Sequence, residues 1–335
     1  MATRRRSVAR KSRSTSVATA LVNVLRMQIE QAARHLSGGA RTGAADVHAA
    51  RKQLRRARAT LRLIRAGISR AQFQHANTVL RDAARPLSGV RDGEVLASVF
   101  DALLANIAEA DGRAPLVSMR ERLDAQGTAH RRVVLATRSL ARLRSSLSRL
   151  DRRVAGWKLA SLDWSSVVRG AARCYRRARR AYRAADGTRT TERLHEWRKQ
   201  VKYLWYQLEL LDPSATRLRR MTKRAHALSD KLGDDHDLAV LTTTLARYGS
   251  ELGALPPMLE RRIAKRRASL QKRAFELGEP AFALPPARFA RKIAALEQHW
   301  HPPVTTRRRP RASTSAADKR RSSVRAARSR TRNTR

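Results

Sequence analysis

Val47-His48-Ala49-Ala50-Arg51-Lys52-Gln53-Leu54-Arg55 and Leu194-His195-Glu196-Trp197-Arg198-Lys199-Gln200-Val201-Lys202 are one helix written twice, 147 positions apart. A histidine and three cations recur at matching places. At 100° per residue, His48, Lys52, Arg55 and Arg62 form a narrow stripe flanked by Arg51. Val47, Ala50, Leu54, Ala57, Leu61 and Ile64 fill the opposite side. The second copy divides in the same way. Leu194, Trp197, Val201, Leu204, Leu208 and Leu211 are its apolar side, and His195, Arg198, Lys199 and Lys202 its basic side. Like charges three and four residues apart cost an isolated helix roughly 0.2–0.5 kcal/mol per pair. An anion held against the stripe turns that cost into binding energy, so the stripe reads as a solvent- or groove-facing anion site.

The repetition continues downstream. Leu87-Ser88-Gly89-Val90-Arg91-Asp92 corresponds to Leu232-Gly233-Asp234-Asp235-His236-Asp237 at an offset of 145, and Arg26 and Arg173 keep the 147 spacing upstream. Long Ala/Leu/Arg stretches with helical periodicity are broken by Gly, Pro or Asp clusters, and strand signals are absent. The first half predicts helices at about 17–36, 44–66, 69–88, 92–110, 116–124 and 129–154. The second half predicts about 163–185, 189–211, 214–232, 236–251, 256–277 and 287–299. The fold expected is all-α: two pseudo-twofold-related antiparallel bundles of four or more helices, over about 17–155 and 160–300. Together they form a domain at 17–303 between disordered basic tails at 1–16 and 304–335. Asp92 and Asp237 read as N-caps opening the helices that follow them, with orientation of a stripe arginine as the alternative.

Charge is the outlier of the composition. The chain of 335 residues carries 73 Lys and Arg against 27 Asp and Glu, a net +46. Six cations without an acid in 1–16, and twelve against one in 304–335, leave +29 on residues 17–303. The basicity therefore belongs to the body as well as to the tails and calls for an acidic partner. A single cysteine, Cys174, excludes an internal disulfide. The apolar run Val17–Leu25 is interrupted by Asn23 and closed by Arg26 with no cleavage site after it. No run reaches the ~18 apolar residues of a membrane span, so the expectation is a cytoplasmic protein with no membrane insertion.

His48-x-x-Arg51-Lys52-x-x-Arg55 with Arg91-Asp92, and His195-x-x-Arg198-Lys199-x-x-Lys202-Tyr203 with Leu232-Gly233 and His236-Asp237, resemble the CHAD domain family, the conserved-histidine α-helical domains. The resemblance covers about residues 17–300. It implies two helical bundles around a basic cavity or channel that binds inorganic polyphosphate, and association with polyphosphate granules; some members resemble proteins of other storage granules. Two parallel cationic stripes offer a long groove for one polyanion, in which guanidinium forks match phosphate oxygens and lysines act as point charges. The polyphosphate-binding residues expected on this reading are His48, Arg51, Lys52, Arg55, Arg62, His195, Arg198, Lys199, Lys202, Tyr203, Arg26 and Arg173, with Asp92 and Asp237 structural or orienting. For the two histidines, a hydrogen bond to a neighbouring helix stands beside contact with phosphate. This chain departs from the duplicated pattern in having His236 where the first half has Arg91.

Two other readings follow from the residues. The Arg-rich tails, Arg307-Arg308-Arg309-Pro310-Arg311 and Lys319-Arg320-Arg321, resemble histone-like tails and make non-specific nucleic-acid binding the first alternative. Asp234-Asp235-His236-Asp237 is similar to the His-Asp dyad of metal-dependent phosphohydrolases, but such sites need further ligands from separate helices and none is patterned here. The expectation is a non-catalytic binder without cofactor or metal.

Overall fold

The computed structural model describes residues 16–105, 113–159, 162–214, 216–252 and 256–301. The basic tails fall almost wholly outside these. The described residues form α1 (Val17–His35), α2 (Ala44–Leu63), α3 (Arg70–Leu104), α4 (Arg113–Leu135) and α5 (Thr137–Ala155), then α6 (Trp164–Gly187), α7 (Thr191–Leu211), α8 (Arg219–Leu252), α9 (Pro257–Phe282) and α10 (Pro286–Ala294). No strand occurs among them. Helix starts follow local chemistry. Ser16, Asp163 and Thr190 each accept a backbone N–H of the first turn, and Ser69 with Gln72 closes a reciprocal capping box on α3. Three bonds onto Asp163, from the hydroxyls of Ser166 and Ser165 and the amide of Ser166, pull its carboxyl down to about 2.

Matching helices begin 147 residues apart, α1 with α6 and α2 with α7, and they have matching neighbours. In the first half α2 packs on α1 and α3, α3 on α4, and α1 on α5; in the second, α7 packs on α6 and α8, α8 on α9, and α6 on α10. Across the middle, α2 meets α7 and α3 meets α8. All twelve apolar positions of the two motif helices are buried.

Three sequence expectations fail here. The break expected at 125–128 lies inside α4, and the chain breaks instead at Ala136. The predicted breaks near 89–91 and 233–235 do not exist, because α3 and α8 run unbroken through them for 35 and 34 residues. On α3 the glycines serve close packing instead of a turn, whereas a Cβ on Gly233 of α8 would meet only the Arg198 side chain at ordinary contact distance. A Cβ on Gly93 would collide with the backbone of Gly127 in α4, and one on Gly89 with the His130 ring. Asp92 and Asp237 therefore lie inside helices and cap nothing, which overturns the N-cap reading.

The unbroken helices span two apolar cores. The larger gathers residues from every helix, α4 through Val134 near its C-terminal end, and it includes Leu87 of α3 and Leu232 of α8. The smaller joins Leu96 and Phe100 of α3, Met119 and Leu123 of α4, Leu238 and Leu241 of α8, and Leu259 and Ile263 of α9. Between them the two long helices carry a belt of mostly polar sequence, residues 88–95 of α3 and 233–237 of α8. The second motif of each half falls in it.

Candidate functional site

Alpha-helices α2 and α7 pass each other in opposite directions. The Arg62 guanidinium lies 4.1 Å over the Tyr203 ring, Gln207 Nε2 donates to Ala59 O at 2.9 Å, and Arg56 Nη2 pairs with Glu209 Oε2 at 2.7 Å. The contacts are reciprocal: Tyr203 and Glu209 stand 147 beyond Arg56 and Arg62. Parallel stripes were expected; the stripes instead lie on antiparallel helices, end to end. Arg62 sits in the crossing itself and Arg55 and Lys202 about one turn from it, while His48 and His195 lie about 16 Å out along their own helices on opposite sides.

Around His195 the second motif closes on itself. His195 Nδ1 lies 3.3 Å from His236 Nδ1, with ring centroids 4.6 Å apart, so two neutral imidazoles share one proton between these nitrogens. Burial and then the charges of Arg198, His195, Arg55 and Lys202 push His236 down to about 3. His195 is lowered as well, by burial first and then by Arg198 and Lys199. His236 of α8 thus touches His195 and feels the positive charge of Arg198 and Lys202 from α7 and of Arg55 from α2. His236 is the site residue that the stripe analysis left out. Its signal was present in the repeat, where it takes the place of Arg91.

The remaining expected site residues divide by what holds them. Arg51 is 5% exposed and its Nη1 donates to Leu87 O and Ser88 O at 2.9 and 2.7 Å. Arg198 is 8% exposed and faces Asp237 at 3.9 Å. Both were expected to face solvent or a groove; they are instead buried fasteners between the motif helix and the long helix behind it. Asp237 thus takes the orienting role, while the Asp92 side chain lies outside the described residues. Lys52 and His48 are exposed, and Lys199 is exposed and paired with Glu196. Tyr203 is buried beneath Arg62, a wall and not an open contact. Arg26 is committed to Asp151 of α5 through two bonds of 2.9 and 3.0 Å, which ties α1 to α5.

Arg62 and Arg173 come together elsewhere. With Arg65, Arg177, Gln200 and Phe73 they line a small cavity of about 90 Å³ on the α2–α6 side of the crossing, with Cys174 behind it. Burial lowers Arg62 and pushes the Cys174 thiol up to about 12, so this cysteine stays protonated.

The acidic cluster at 234–237 is dispersed among cations. Asp235, 2% exposed, accepts from Arg267 Nε and Gln271 Nε2 of α9, each at 3.0 Å; Asp237 faces Arg198, and Asp234 lies 3.9 Å from Lys231. Among the described residues no three His, Cys, Asp or Glu side chains form a metal-sized set. No helix among them is long and apolar enough to cross a membrane.

Comparison with known proteins agrees with this architecture. The CHAD domain family profile matches residues 23–246. The crystal structure of the CHAD domain from the plant Ricinus communis superposes with a TM-score of 0.52 at 19% identity, over 87% of this chain and 94% of that one. No curated protein matches the chain.

Proposed function

The chain belongs to the CHAD domain family, and from that premise we propose that it captures inorganic polyphosphate, without catalysis, along the basic track that joins His48 to His195 across the α2–α7 crossing. The α2–α7 crossing carries the reading: it sets the two basic motifs on neighbouring helices, and the charges of Arg55, Arg198 and Lys202 all act on His236. Cations supplied by two adjoining helices are the complement of a chain that carries about one charge per phosphate. Arg51 and Arg198 support the track from behind, and Lys52, Arg55, Lys199 and Lys202 face the ligand. Arg62 and Arg173 offer guanidinium forks beyond the crossing. No covalent step is needed; the binding energy is Coulombic, multivalent and salt-sensitive, as counterion release requires. Association with polyphosphate granules follows from holding the polymer.

The test is a competition at near-physiological salt. Labelled polyphosphate bound to the protein should resist displacement by duplex DNA at equal phosphate concentration. Equal displacement would replace this reading with non-specific nucleic-acid binding.

A further inference from the structure

The two halves differ where α5 and α10 stand. In the first half, α5 is 19 residues long, packs on α1 and α3, and reaches the start of α3, where Arg153 meets His75 at 3.0 Å. Its counterpart α10 is 9 residues long, packs on α6, and makes no comparable contact with α8. The start of α8 is therefore left unroofed. A cavity of about 580 Å³ opens there, and Arg220 and Met221 on its wall stand 145 and 146 residues beyond His75. The volume lies in the range of small-molecule sites.

The lining has two zones. Leu204, Leu208, Leu228 and Phe282 form an apolar floor of buried side chains. Arg217, Arg219, Arg220, Arg224 and Lys292 form the rim. Among the described residues no carboxylate lines the cavity, and no ion pair neutralises any of these five cations; Asp212, just past α7, is engaged by Leu218 N, Thr216 N and the Thr216 hydroxyl.

The charge selects the occupant. Neither the basic C-terminal segment nor a second copy of so cationic a chain complements this rim. Inorganic polyphosphate satisfies the rim but would have to desolvate its charges against the floor, which is costly. An anionic head on a single hydrocarbon chain meets both zones. We propose that this cavity binds a free single-chain anionic amphiphile of the fatty-carboxylate class, at a site separate from the polyanion track.

Calorimetric titration of the full chain with laurate, below its micellar concentration, tests this. One laurate per chain is expected, with affinity at least tenfold weaker in Ala225→Phe, which fills the cavity, while polyphosphate affinity is unchanged. Arg220→Gln with Arg224→Gln, at exposed positions that do not threaten folding, should weaken laurate several-fold and leave the neutral dodecanol control unaffected. Stoichiometry of many laurates per chain, or affinity unchanged in the arginine variant, would overturn the proposal. Binding to anionic vesicles with none to free laurate would overturn it too, in favour of a membrane-facing patch.

Discussion

At His236 the fold holds an imidazole neutral at a point ringed by positive charge. Its ordinary value is 6.5 and in the fold it is about 3, so between those values the unfolded chain binds more protons than the native one. The contribution of this residue to stability is therefore full above pH 6.5 and is lost progressively as pH falls toward 3. Thermal unfolding should show a smaller loss from pH 7 to pH 4.5 in His236→Asn than in the natural chain; an identical loss would assign the acid sensitivity elsewhere. A polyanion reverses the local field and favours the charged imidazole. Polyphosphate binding near pH 6 should accordingly take up protons, measured by calorimetry in buffers of different ionisation enthalpy, and the uptake should shrink in His236→Asn. The buried arginines respond differently. Arg51→Gln removes donors from two carbonyls in a buried setting, at a cost of roughly 1–3 kcal/mol, whereas Lys52→Gln, exposed, should leave stability within about 0.5 kcal/mol. Equal midpoints in urea for the two variants would show that Arg51 is no fastener.

At the scale of the helix, periodicity was legible and depth was not. Both motif helices bury the faces that their spacing assigned, from Val47 to Ile64 and from Leu194 to Leu211, because a stripe every 3.6 residues admits one orientation against a core. The same spacing placed Arg51 beside Lys52 but could not tell that α3 stands over the first and not the second. That depends on a neighbour 36 residues away. The glycines misled for a related reason. Gly89 and Gly93 sit among Ser and Asp like turn residues, yet their need is for a missing side chain where α3 meets α4. Gly170 is the sharpest case, since a Cβ there would collide with the carbonyl oxygen of Leu63 at the end of α2. In an exposed helix Gly→Ala gains about 1 kcal/mol. Here Gly170→Ala should instead destabilise by about 1–3 kcal/mol, and a raised melting temperature would contradict the close crossing.

For the whole molecule, a net charge of +46 makes some affinity for any polyanion unavoidable, so the account stands on where that affinity resides. The repeat and the antiparallel crossing set the cations of both motif helices along one track, and the tails carry further charge. Lys52, Arg55, Lys199 and Lys202 are the positions to change, since none of the four is buried. Gln in all four keeps good helix formers. The control changes Arg307, Arg308, Arg309 and Arg311 to Gln, four cations in the C-terminal tail. Each enclosed charge-assisted contact is worth roughly 1.5–3 kcal/mol, against little for an exposed, screened charge. The decisive measurement is polyphosphate affinity of both variants across a salt series. The account predicts that the track variant loses at least a hundredfold at near-physiological salt and shows a shallower salt dependence, while the tail variant stays within a few-fold of the natural chain; equal losses in the two would contradict it.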